Sequence, residues 1–407
     1  MAVQTAPRAV PRRAKSGREA ARLLLGTSQT AALPLGAPDT TRTPREPAMS
    51  NPAKIADQAP APFDPILLEP GRLRSVRIDL TSNCNLRCVY CQRSQPGYTG
   101  QDMPPLLVNK IISQLKAQPG LEYVDVNGHG ETTVHPNWKP ICDSMLDAGF
   151  ALRIGTNLAK HYSDAEIETL ARFSGIVVSI DTADRELLRK LRRSVDLRSI
   201  LHTITRIRAM ALRLGTPPPA FGFSSGVYDL NARLLPDLAR LAAVLGIKDA
   251  IFWKLRKYPD IPGALNIRPL TALPPDELAR AIQGVDQAAA ILQAYSINCI
   301  ISGNYIDELR PDTPAAGATT APAEPLTRNC ADPWRHLEFR PDGSVRPCCD
   351  HPAIADIREE SIDQIRHGNK LRKIRNSLLT ATPNRHCQAC PVRAKTTPKA
   401  LLARFVA

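Results

Sequence analysis

Three cysteines early in the chain have the residue type and the spacing to hold a metal centre. Cys84, Cys88 and Cys91 are four and three residues apart, so their thiolates can wrap around one compact group. Thiolates are soft ligands that select zinc, copper(I) or iron–sulfur clusters. A structural zinc site needs a fourth ligand close by, whereas His129 and His135 lie a whole structural unit downstream. Three ligands without a fourth therefore favour a [4Fe-4S] cluster with one open iron over zinc, chance spacing or an unrelated redox trio.

A second group of cysteines lies near the carboxyl end and has a different spacing. It comprises Cys330, Cys348, Cys387 and Cys390, and Cys349 directly follows Cys348. Four thiolates would ligate a cluster fully and leave no iron for substrate, although a structural zinc ribbon has a similar spacing. We expect Cys348 rather than Cys349 to be the ligand, because the strand of a predicted hairpin holds Cys348 in line.

Six short β-rich runs, each followed by a helical pattern, are expected to position the first cysteines. The β-rich runs are 76–80, 123–126, 152–154, 176–180, 221–223 and 251–253, and helical periodicity covers 108–118, 138–148, 164–173, 184–193, 200–214 and 234–245. Six consecutive units of this kind predict an α/β fold, with a parallel sheet that is either open or curled into a partial barrel. In such folds the chemistry lies at the carboxyl ends of the strands, which is where the first three cysteines fall.

The pattern ends after Arg256, and the rest of the chain is expected to form a connection and a second, smaller unit. A helix at 275–295 and a β-like run at 297–302 precede a Pro/Ala/Thr-rich linker at 311–325. Beyond the linker, Asp342-Gly343 is the turn of a predicted hairpin. We therefore expect an arm at 1–65, a core at 70–260, a connecting helix and linker at 261–327, a small α+β domain at 328–392 and a basic tail at 393–407.

The overall composition is that of a globular protein with a basic excess at both ends. The 407 residues are 43% hydrophobic and carry a net charge of +14. Residues 1–60 contain nine Lys/Arg, four acids and no aromatic residue, so this arm is expected to be disordered. Its Arg-rich composition is also typical of a transit peptide, but a dispensable tail, or an over-long start before Met49, is the simpler interpretation. From Arg366 onward there are ten Lys/Arg and no acid, which would suit an anionic substrate or a solvated helix face.

Composition also argues against several classes of protein. No apolar run is long enough for a membrane span, no secretory signal opens the chain, and the cysteines are too few for a disulfide scaffold. The basic segments are not interleaved with aromatic residues, as platforms for single-stranded nucleic acid require. We therefore expect a soluble intracellular protein that binds neither membranes nor nucleic acid. The assembly and oxygen sensitivity of an iron–sulfur cluster would point to the reducing cytoplasm.

With Tyr90 before the last cysteine, the segment from Cys84 to Cys91 resembles the signature of the radical S-adenosylmethionine (radical SAM) enzymes. The resemblance implies a partial (βα)6 barrel in which the open iron of a [4Fe-4S] cluster binds the amino and carboxylate groups of S-adenosylmethionine (SAM). It also implies that one electron, delivered by a reductase or a flavodoxin-type donor, cleaves the sulfonium and releases a 5′-deoxyadenosyl radical.

Further segments resemble positions at which this family binds SAM. Gly128, Gly130 and Glu131 are similar to its glycine-glycine-glutamate-proline segment, in which Glu131 would pair with the methionine ammonium, although His129 and Thr132 depart from the usual residues. The remaining candidates, for the carboxylate, the ribose or the adenine, are Thr156, Asn157, Ser179, Asp181, Arg192, Arg193 and the segment 222–226. The serine and aspartate are also typical helix N-caps, and the two arginines would equally form surface ion pairs.

The second cysteine group resembles the SPASM/twitch extensions of radical SAM proteins, on the segment from Cys330 to Trp334 and the segment from Phe339 to Cys349. Full SPASM domains bring cysteines for two auxiliary clusters, so this shorter set resembles the twitch form with one auxiliary [4Fe-4S] cluster. A fully ligated cluster suits electron transfer, and Trp334 is expected to pack in the core.

Three functions follow from these expectations. The first is an oxidoreductase, in which the radical abstracts a substrate hydrogen atom and the auxiliary cluster accepts the leftover electron, in natural-product or small-metabolite biosynthesis. The second is a redox-neutral epimerase or dehydratase, or a peptide-modifying enzyme. It would return a hydrogen atom from a thiol such as Cys299 or Cys142, or eliminate water. The third is a non-catalytic zinc-binding module. We favour the first, with a small molecule rather than a peptide as substrate, and expect Cys142 to be a buried, inert thiol.

Overall fold

The computed structural model describes residues 65–193, 195–255, 267–310 and 325–406. The predicted N-terminal arm, apart from Pro65, and all but the last residue of the predicted linker lie outside the described residues. Within the described ranges, no helix is both long and apolar enough to cross a membrane.

Alternating strands and helices form the larger part of the structure. The strands are β1 (Ser75–Ile78), β2 (Tyr123–Asp125), β3 (Leu152–Thr156), β4 (Gly175–Ser179), β5 (Ala220–Val227), β6 (Asp249–Lys254) and β7 (Asn298–Ile301). The helices between them are α1 (Pro105–Lys116), α2 (Trp138–Asp147), α3 (Asp164–Ala171), α4 (Arg185–Arg192), α5 (Leu197–Arg213), α6 (Leu235–Val244) and α7 (Pro275–Ala294). These seven strands pair in parallel in chain order, so the predicted α/β fold with crossover helices is confirmed.

The parallel sheet continues one unit further than the sequence pattern indicated. β7 pairs with β6, with Cys299 opposite Ala250, and α7 is the crossover helix between them. The region interpreted as a connection therefore contains a seventh strand of the same sheet. The sequence indicated a β-like run at this point, but nothing local in it shows that the run pairs with β6 at the edge of the sheet.

Short elements surround the second cysteine group in the carboxyl-terminal part. They are β8 (Thr327–Arg328), α8 (Asp332–Arg335), β9 (His336–Phe339), β10 (Ser344–Arg346), β11 (Ala355–Asp356), α9 (Ile362–His367), α10 (Asn369–Leu379), α11 (Arg385–Gln388), β12 (Lys395–Thr396) and α12 (Pro398–Val406). β9 and β10 form the predicted antiparallel hairpin, and Gly343 in its turn has a φ of +84°. A positive φ is a conformation that glycine adopts without strain, which explains the Asp-Gly turn.

The hairpin joins the main sheet, so the predicted domain at 328–392 shares a sheet with the core. β9 pairs in parallel with β1, so the strand order is β11-β10-β9-β1-β2-β3-β4-β5-β6-β7. Val76 lies opposite Leu337 in this pairing, and both side chains are buried in one continuous hydrophobic core. Pairing between strands so far apart in the chain leaves no local trace in the sequence.

The expected basic tail is folded as well. Lys395 and Thr396 pair with β8, and Leu401 of α12 is fully buried. The ring of Phe405 lies 4.7 Å from the ring of Trp334, which packs in the core as expected. The basic residues of this segment therefore belong to a folded part of the carboxyl-terminal domain.

Candidate functional site

The loop after β1 holds Cys84, Cys88 and Cys91 at the carboxyl end of the sheet. Backbone hydrogen bonds fix its shape, since Val89 N donates to Leu191 O (2.9 Å) and Cys91 N donates to Cys88 O (3.0 Å). Cys88 is buried, whereas Cys84 and Cys91 are half-buried. The three thiols therefore lie on one short, braced segment.

Burial raises the pKa of the Cys84 thiol and raises the pKa of the Cys88 thiol to about 12. Nearby guanidinium groups act in the opposite direction, Arg93 on Cys84 and Arg192 on Cys88. Thiols must lose their protons to bind a metal, and the charge of the metal drives that loss. In the part of the chain that the structure describes, no three His, Cys, Asp or Glu side chains converge to hold a single metal ion. A cubane cluster takes each thiolate on a different iron and does not need such convergence.

The glycine-containing turn after β2 packs directly on the start of the cysteine loop. A Cβ atom on Gly128 would overlap the Asp79 carboxylate, and one on Gly130 would overlap the carbonyl oxygens of Thr81 and Asn83. A glycine is therefore required at both positions for the two segments to approach this closely.

Glu131 ends this turn, is 3% exposed and is held by four hydrogen bonds from its own chain. Its Oε1 accepts from the Thr133 amide (3.3 Å), the Thr133 hydroxyl (2.9 Å) and the Thr156 hydroxyl (2.8 Å), and its Oε2 accepts from Asn157 N (2.8 Å). Burial raises the pKa of Glu131, and these donors oppose that rise. The carboxylate is therefore held in one orientation before any ligand binds.

Asn157 joins the end of β3 to the cysteine loop. Its Nδ2 donates to Asn85 Oδ1 (2.9 Å) and lies 3.8 Å from Cys84 Sγ. The next residue, Leu158, is fully buried and has a φ of +48°, and its amide donates to the Thr156 hydroxyl (3.2 Å). A leucine with positive φ is strained, so the surrounding contacts must hold this corner in place.

Asp181 is completely buried and is bound by its own chain. Its Oδ2 accepts from the Tyr90 hydroxyl (2.6 Å) and from Arg192 Nε (2.7 Å). Asp181 lines neither of the two cavities described below, which is at odds with the expected contact between this carboxylate and a cofactor. Of the two alternatives for Arg192, the ion pair forms, but it is buried and not at the surface, and Arg192 also lines the first of these cavities. Arg193 lines neither cavity. The buried pair of Asp181 and Arg192 holds Tyr90 in place.

A cavity of about 480 Å³ opens at the carboxyl ends of the strands and collects most of the expected site residues. Its lining includes Cys84, Cys88, Tyr90, Cys91, Gly128, His129, Gly130, Glu131, Thr156, Asn157, Ser179, Arg192, Ser224 and Trp253. Of the segment 222–226, Ser224 is the residue that lines it. Three thiols, glycines that permit close approach and a buried carboxylate that suits an ammonium group fit a [4Fe-4S] cluster with SAM. We call this space the first cavity.

A second cavity, of about 340 Å³, adjoins the first and extends to the second cysteine group. The two cavities share Tyr90, Cys91, Gly128, His129 and Trp253 as walls. The second cavity is otherwise lined by Gln92, Lys254, Leu255, Ser302, Cys349, Asp350, Pro391 and Val392. Because Pro391 directly follows a cysteine of the second group, this cavity lies between the two groups of thiols.

Trp253 forms a wall common to both cavities, a role that was not predicted from the sequence. Its indole Nε1 donates to the Ser224 hydroxyl (3.1 Å), and its ring meets that of Tyr90 edge-on with 6.2 Å between centroids. A Cβ atom on Gly226 would lie 2.8 Å from the indole, so glycine is needed there to seat the ring. The one signal in the sequence was its position at the carboxyl end of β6.

His129 also faces both cavities and contacts Gln92. Burial lowers the pKa of His129 to about 4, and the charges of Arg340 and Arg346 act in the same direction. The imidazole is therefore neutral near pH 7, and it adds no positive charge beside the thiols.

The second cysteine group is assembled by strand pairing. Cys330 follows β8 and Cys390 precedes β12, and the pairing of these two strands brings both segments side by side. The thiols also influence one another, because Cys348 raises the pKa of Cys330, and Cys390 raises that of Cys387, in addition to the larger effect of burial. These four thiols have the donor set of a fully ligated [4Fe-4S] cluster, and the donor set alone would also suit zinc.

Cys348 and Cys349 have different surroundings. Cys348 accepts hydrogen bonds from the backbone amides of Asp350 and His351, and it is half-buried near the other thiols of its group. Cys349 is exposed, lines the second cavity and contacts the Arg77 side chain. This difference supports Cys348 as the ligand of the pair.

The two remaining cysteines lie away from the cavities. Cys142 is fully buried in α2, and burial raises the pKa of its thiol, as expected for an inert side chain. Cys299 is half-buried in β7 and lines neither cavity, so its placement does not support the hydrogen-donor role expected for it. Outside the two proposed ligand sets, Cys349 is the thiol that lines the second cavity.

Comparison with known protein families finds two domains in the chain. Residues 78–221 match the Radical SAM superfamily, and residues 330–391 match SPASM, an iron-sulfur cluster-binding domain. The first match contains the three cysteines of the β1 loop and the glycine-containing turn, and the second spans all four cysteines of the carboxyl-terminal group. The two domains imply a [4Fe-4S] cluster with SAM at the first site and auxiliary iron–sulfur chemistry at the second.

Individual relatives match the chain over part of their length. Over 180 residues it is 29% identical to the tungsten-containing aldehyde ferredoxin oxidoreductase cofactor-modifying protein of Pyrococcus furiosus, covering 43% of this chain and 49% of that protein. Over 176 residues it is 25% identical to a probable GTP 3′,8-cyclase of Methanocaldococcus jannaschii, covering 43% of this chain and 56% of that one. The chain thus spans about half the length of these relatives. Streptococcus suis SuiB bound to S-adenosylmethionine shares the fold, with a TM-score of 0.55, 15% identity and coverage of 74% of this chain and 67% of that one.

Proposed function

Because this chain belongs to the radical SAM superfamily and carries a SPASM domain, we propose that it is an oxidoreductase that uses SAM to oxidise a small molecule. In the proposed reaction the enzyme abstracts a hydrogen atom from a substrate carbon that bears OH or NH, a base takes the proton, and an auxiliary [4Fe-4S] cluster accepts the electron that remains. Natural-product or small-metabolite biosynthesis is the proposed setting. The observation that carries the proposal is the second cavity, which lies between the two groups of thiols.

The residues of the first cavity would hold the cofactors. Cys84, Cys88 and Cys91 would ligate the first cluster, and the Glu131 carboxylate would receive the ammonium of SAM. When bound, this pair of cofactors supplies a 5′-deoxyadenosyl radical by one-electron cleavage of the sulfonium. The chain contributes placement, since the Glu131 carboxylate is already oriented by Thr133, Thr156 and Asn157 and needs no reorganisation on binding.

The second cavity has the size and lining of a small-molecule site. Its volume of about 340 Å³ lies at the lower end of the range for ligand pockets. Trp253 and Leu255 offer apolar contact, whereas Lys254 and Asp350 offer charges of opposite sign. A substrate there would touch the walls shared with the first cavity on one side and Pro391 on the other, within reach of both proposed cluster sites.

A redox-neutral or peptide-modifying reaction is the second candidate, and the position of Cys349 favours it. The Cys349 thiol lines the second cavity, so it would return a hydrogen atom to a substrate radical, the role first considered for Cys299 or Cys142. One electron from the auxiliary cluster and one proton would then restore the thiol. SuiB, which shares this fold, has been solved with its precursor peptide SuiA, so a peptide is the alternative class of substrate.

Anaerobic reconstitution with iron and sulfide, followed by an assay of 5′-deoxyadenosine under dithionite, tests the proposal. We expect the wild-type protein to form 5′-deoxyadenosine, and the triple variant Cys84→Ala/Cys88→Ala/Cys91→Ala to form none while it retains the iron of the second group. Replacing Cys330, Cys348, Cys387 and Cys390 with alanine is expected to leave SAM cleavage intact and to abolish substrate oxidation.

Two results would overturn the oxidoreductase assignment. Solvent deuterium in a product with an unchanged carbon skeleton would show hydrogen return, and a Cys349→Ala variant that loses this label would assign the donor. Zinc in place of iron at both sites, with no 5′-deoxyadenosine, would contradict every radical reaction for this chain.

A further inference from the structure

A buried carboxylate joins the glycine-containing turn to the carboxyl-terminal hairpin. Asp79 lies just after β1, and its side chain is 3% exposed. Its Oδ2 accepts hydrogen bonds from His129 N (3.1 Å), within the turn, and from Arg340 Nη1 (3.1 Å), within the hairpin. One oxygen atom therefore receives a donor from the radical SAM domain and a donor from the SPASM domain.

The backbone of the turn packs directly against the Asp79 carboxylate. The Cα of Gly128 approaches Asp79 so closely that a Cβ atom on it would overlap the carboxyl group. The amide of the next residue, His129, donates to the same group. A change in the position of the Asp79 side chain would therefore move the backbone of the turn that leads to Glu131.

Arg340 is the counter-charge of Asp79, and the hairpin fixes it in place. It follows β9, its side chain is 7% exposed, and its Nη2 also lies 3.4 Å from Glu338 Oε2. Glu338 in turn pairs with Arg77 (2.6 Å), which lies opposite it in the β1–β9 ladder. The same hairpin continues directly into Cys348.

We propose that Asp79 and Arg340 are positioning residues that lock the SAM-binding turn to the auxiliary-cluster domain. The inference rests on the proposed function in one respect, namely that the turn containing Gly128 and Glu131 binds SAM. Neither residue lines the first cavity, so both would act through the backbone of this turn. Without Arg340, the buried Asp79 carboxylate would lose its charged partner. Asp79, to which the His129 amide donates, would then move or become protonated.

The test uses the full-length chain with its clusters reconstituted, and compares wild type with Arg340→Met. We expect Arg340→Met to weaken SAM binding about tenfold or more, as loss of an outer-shell partner typically does, at unchanged iron and sulfide content. Equilibrium dialysis of labelled SAM gives the affinity. The change that SAM causes in the electron paramagnetic resonance spectrum of the reduced cluster is expected to be smaller or broader in the variant.

Two further variants distinguish positioning from a general loss of stability. Arg340→Lys keeps the charge and is expected to recover most of the affinity. Asp79→Asn/Arg340→Met removes both charges, and its amide oxygen still accepts from His129 N, so its affinity is expected to exceed that of Arg340→Met. The matched control is Arg375→Met, which removes an arginine that is 1% exposed and donates to the carbonyl oxygens of Leu68, Pro333 and Arg366. It is expected to lower the unfolding temperature and leave SAM affinity unchanged.

The outcomes separate the two proposals. A wild-type protein that does not bind SAM would sink the proposed function itself. A wild type that binds SAM, with Arg340→Met of equal affinity and an equal spectral change, would refute the positioning role alone. Equal losses of affinity in Arg340→Met and Arg375→Met would also refute it, because the effect would then follow stability.

Discussion

Hydrogen bonds from its own chain fix the orientation of the Glu131 carboxylate before any ligand binds. Within the described residues, every hydrogen-bond partner of this carboxylate is a donor. These donors belong to the following turn and to the end of β3. A group surrounded only by donors must remain an acceptor on both oxygens. This requirement makes the residue sensitive to a substitution that preserves its shape.

Glu131→Gln is therefore expected to affect both stability and binding. If the amide oxygen of the glutamine takes the position of Oε1, its NH2 group faces the Asn157 amide, and one buried donor is left unsatisfied. We expect a loss of about 1–3 kcal/mol in the free energy of unfolding, measured by urea denaturation. SAM binding is expected to weaken about tenfold or more, because a neutral amide replaces a charge-assisted partner.

The control for this substitution is Glu122→Gln, at an exposed carboxylate paired with Arg74. Exposed ion pairs contribute little, so both measurements should remain close to wild type. Equal stability and equal SAM affinity in Glu131→Gln would contradict the assignment of this carboxylate to the ammonium of SAM.

At the scale of single residues, the sequence predicts what local spacing encodes. The cysteines of the β1 loop and the Gly128–Glu131 turn are short motifs, and the structure brings them to one cavity. The hydrogen bonds that Asp181 accepts from Tyr90 and Arg192 were not predicted, because they depend on how α4 folds back on the end of β4. Trp253 and Arg340 were missed for the same reason, since their roles come from contacts between distant segments.

At the scale of elements, the β9–β10 hairpin carries both Arg340 and the approach to Cys348. Its turn was predicted from Asp342-Gly343, and β9 and β10 lie on either side of that turn. The partner of β9 was not predicted. A hairpin is specified by adjacent residues, whereas the pairing of β9 with β1 depends on apolar faces such as those of Leu337 and Val76, which many alternative strands could satisfy.

Gly343→Val should disturb this hairpin and the auxiliary site together. A left-handed backbone costs a residue with a side chain about 1–2 kcal/mol, and a Cβ atom here would also lie 2.9 Å from Arg358 Nε. We expect reconstituted protein to lose iron from the second cysteine group and to keep the iron of the first. Iron and sulfide analysis, together with 5′-deoxyadenosine formation, measures the two sites separately.

Gly149→Val is the matched control for backbone strain. Gly149 has a φ of +85°, close to the +84° of Gly343, and a Cβ atom there meets nothing within 4 Å. It should lower stability by a similar amount and leave iron content unchanged. Equal iron loss in the two variants would mean that the hairpin has no particular part in holding the second cluster.

At the scale of the whole molecule, one sheet runs through both domains. β9 lies between β10 and β1, and buried side chains from both domains form one core. The sequence suggested two units because a Pro/Ala/Thr-rich segment separates them along the chain. A change in composition indicates a linker along the chain. It does not show whether the segments on either side of the linker share a core.

Cleavage between the domains is therefore expected to leave them together. A protease site inserted within residues 311–324 and cut after folding should yield two fragments that co-elute in size-exclusion chromatography under native conditions. They should separate in urea at the same concentration at which the β-sheet signal in circular dichroism is lost. Fragments that elute apart without denaturant would contradict a shared sheet.

The position of β9 also limits how the enzyme can be re-engineered. Exchanging its iron-binding carboxyl-terminal part for that of another protein would replace a strand neighbour of β1 and, with Arg340, the partner of Asp79. A successful chimaera must therefore import a compatible strand register and a guanidinium at the same depth. Cluster-binding cysteines transplanted without these features would leave the turn from Gly128 to Glu131 without the support that Asp79 and Arg340 give it.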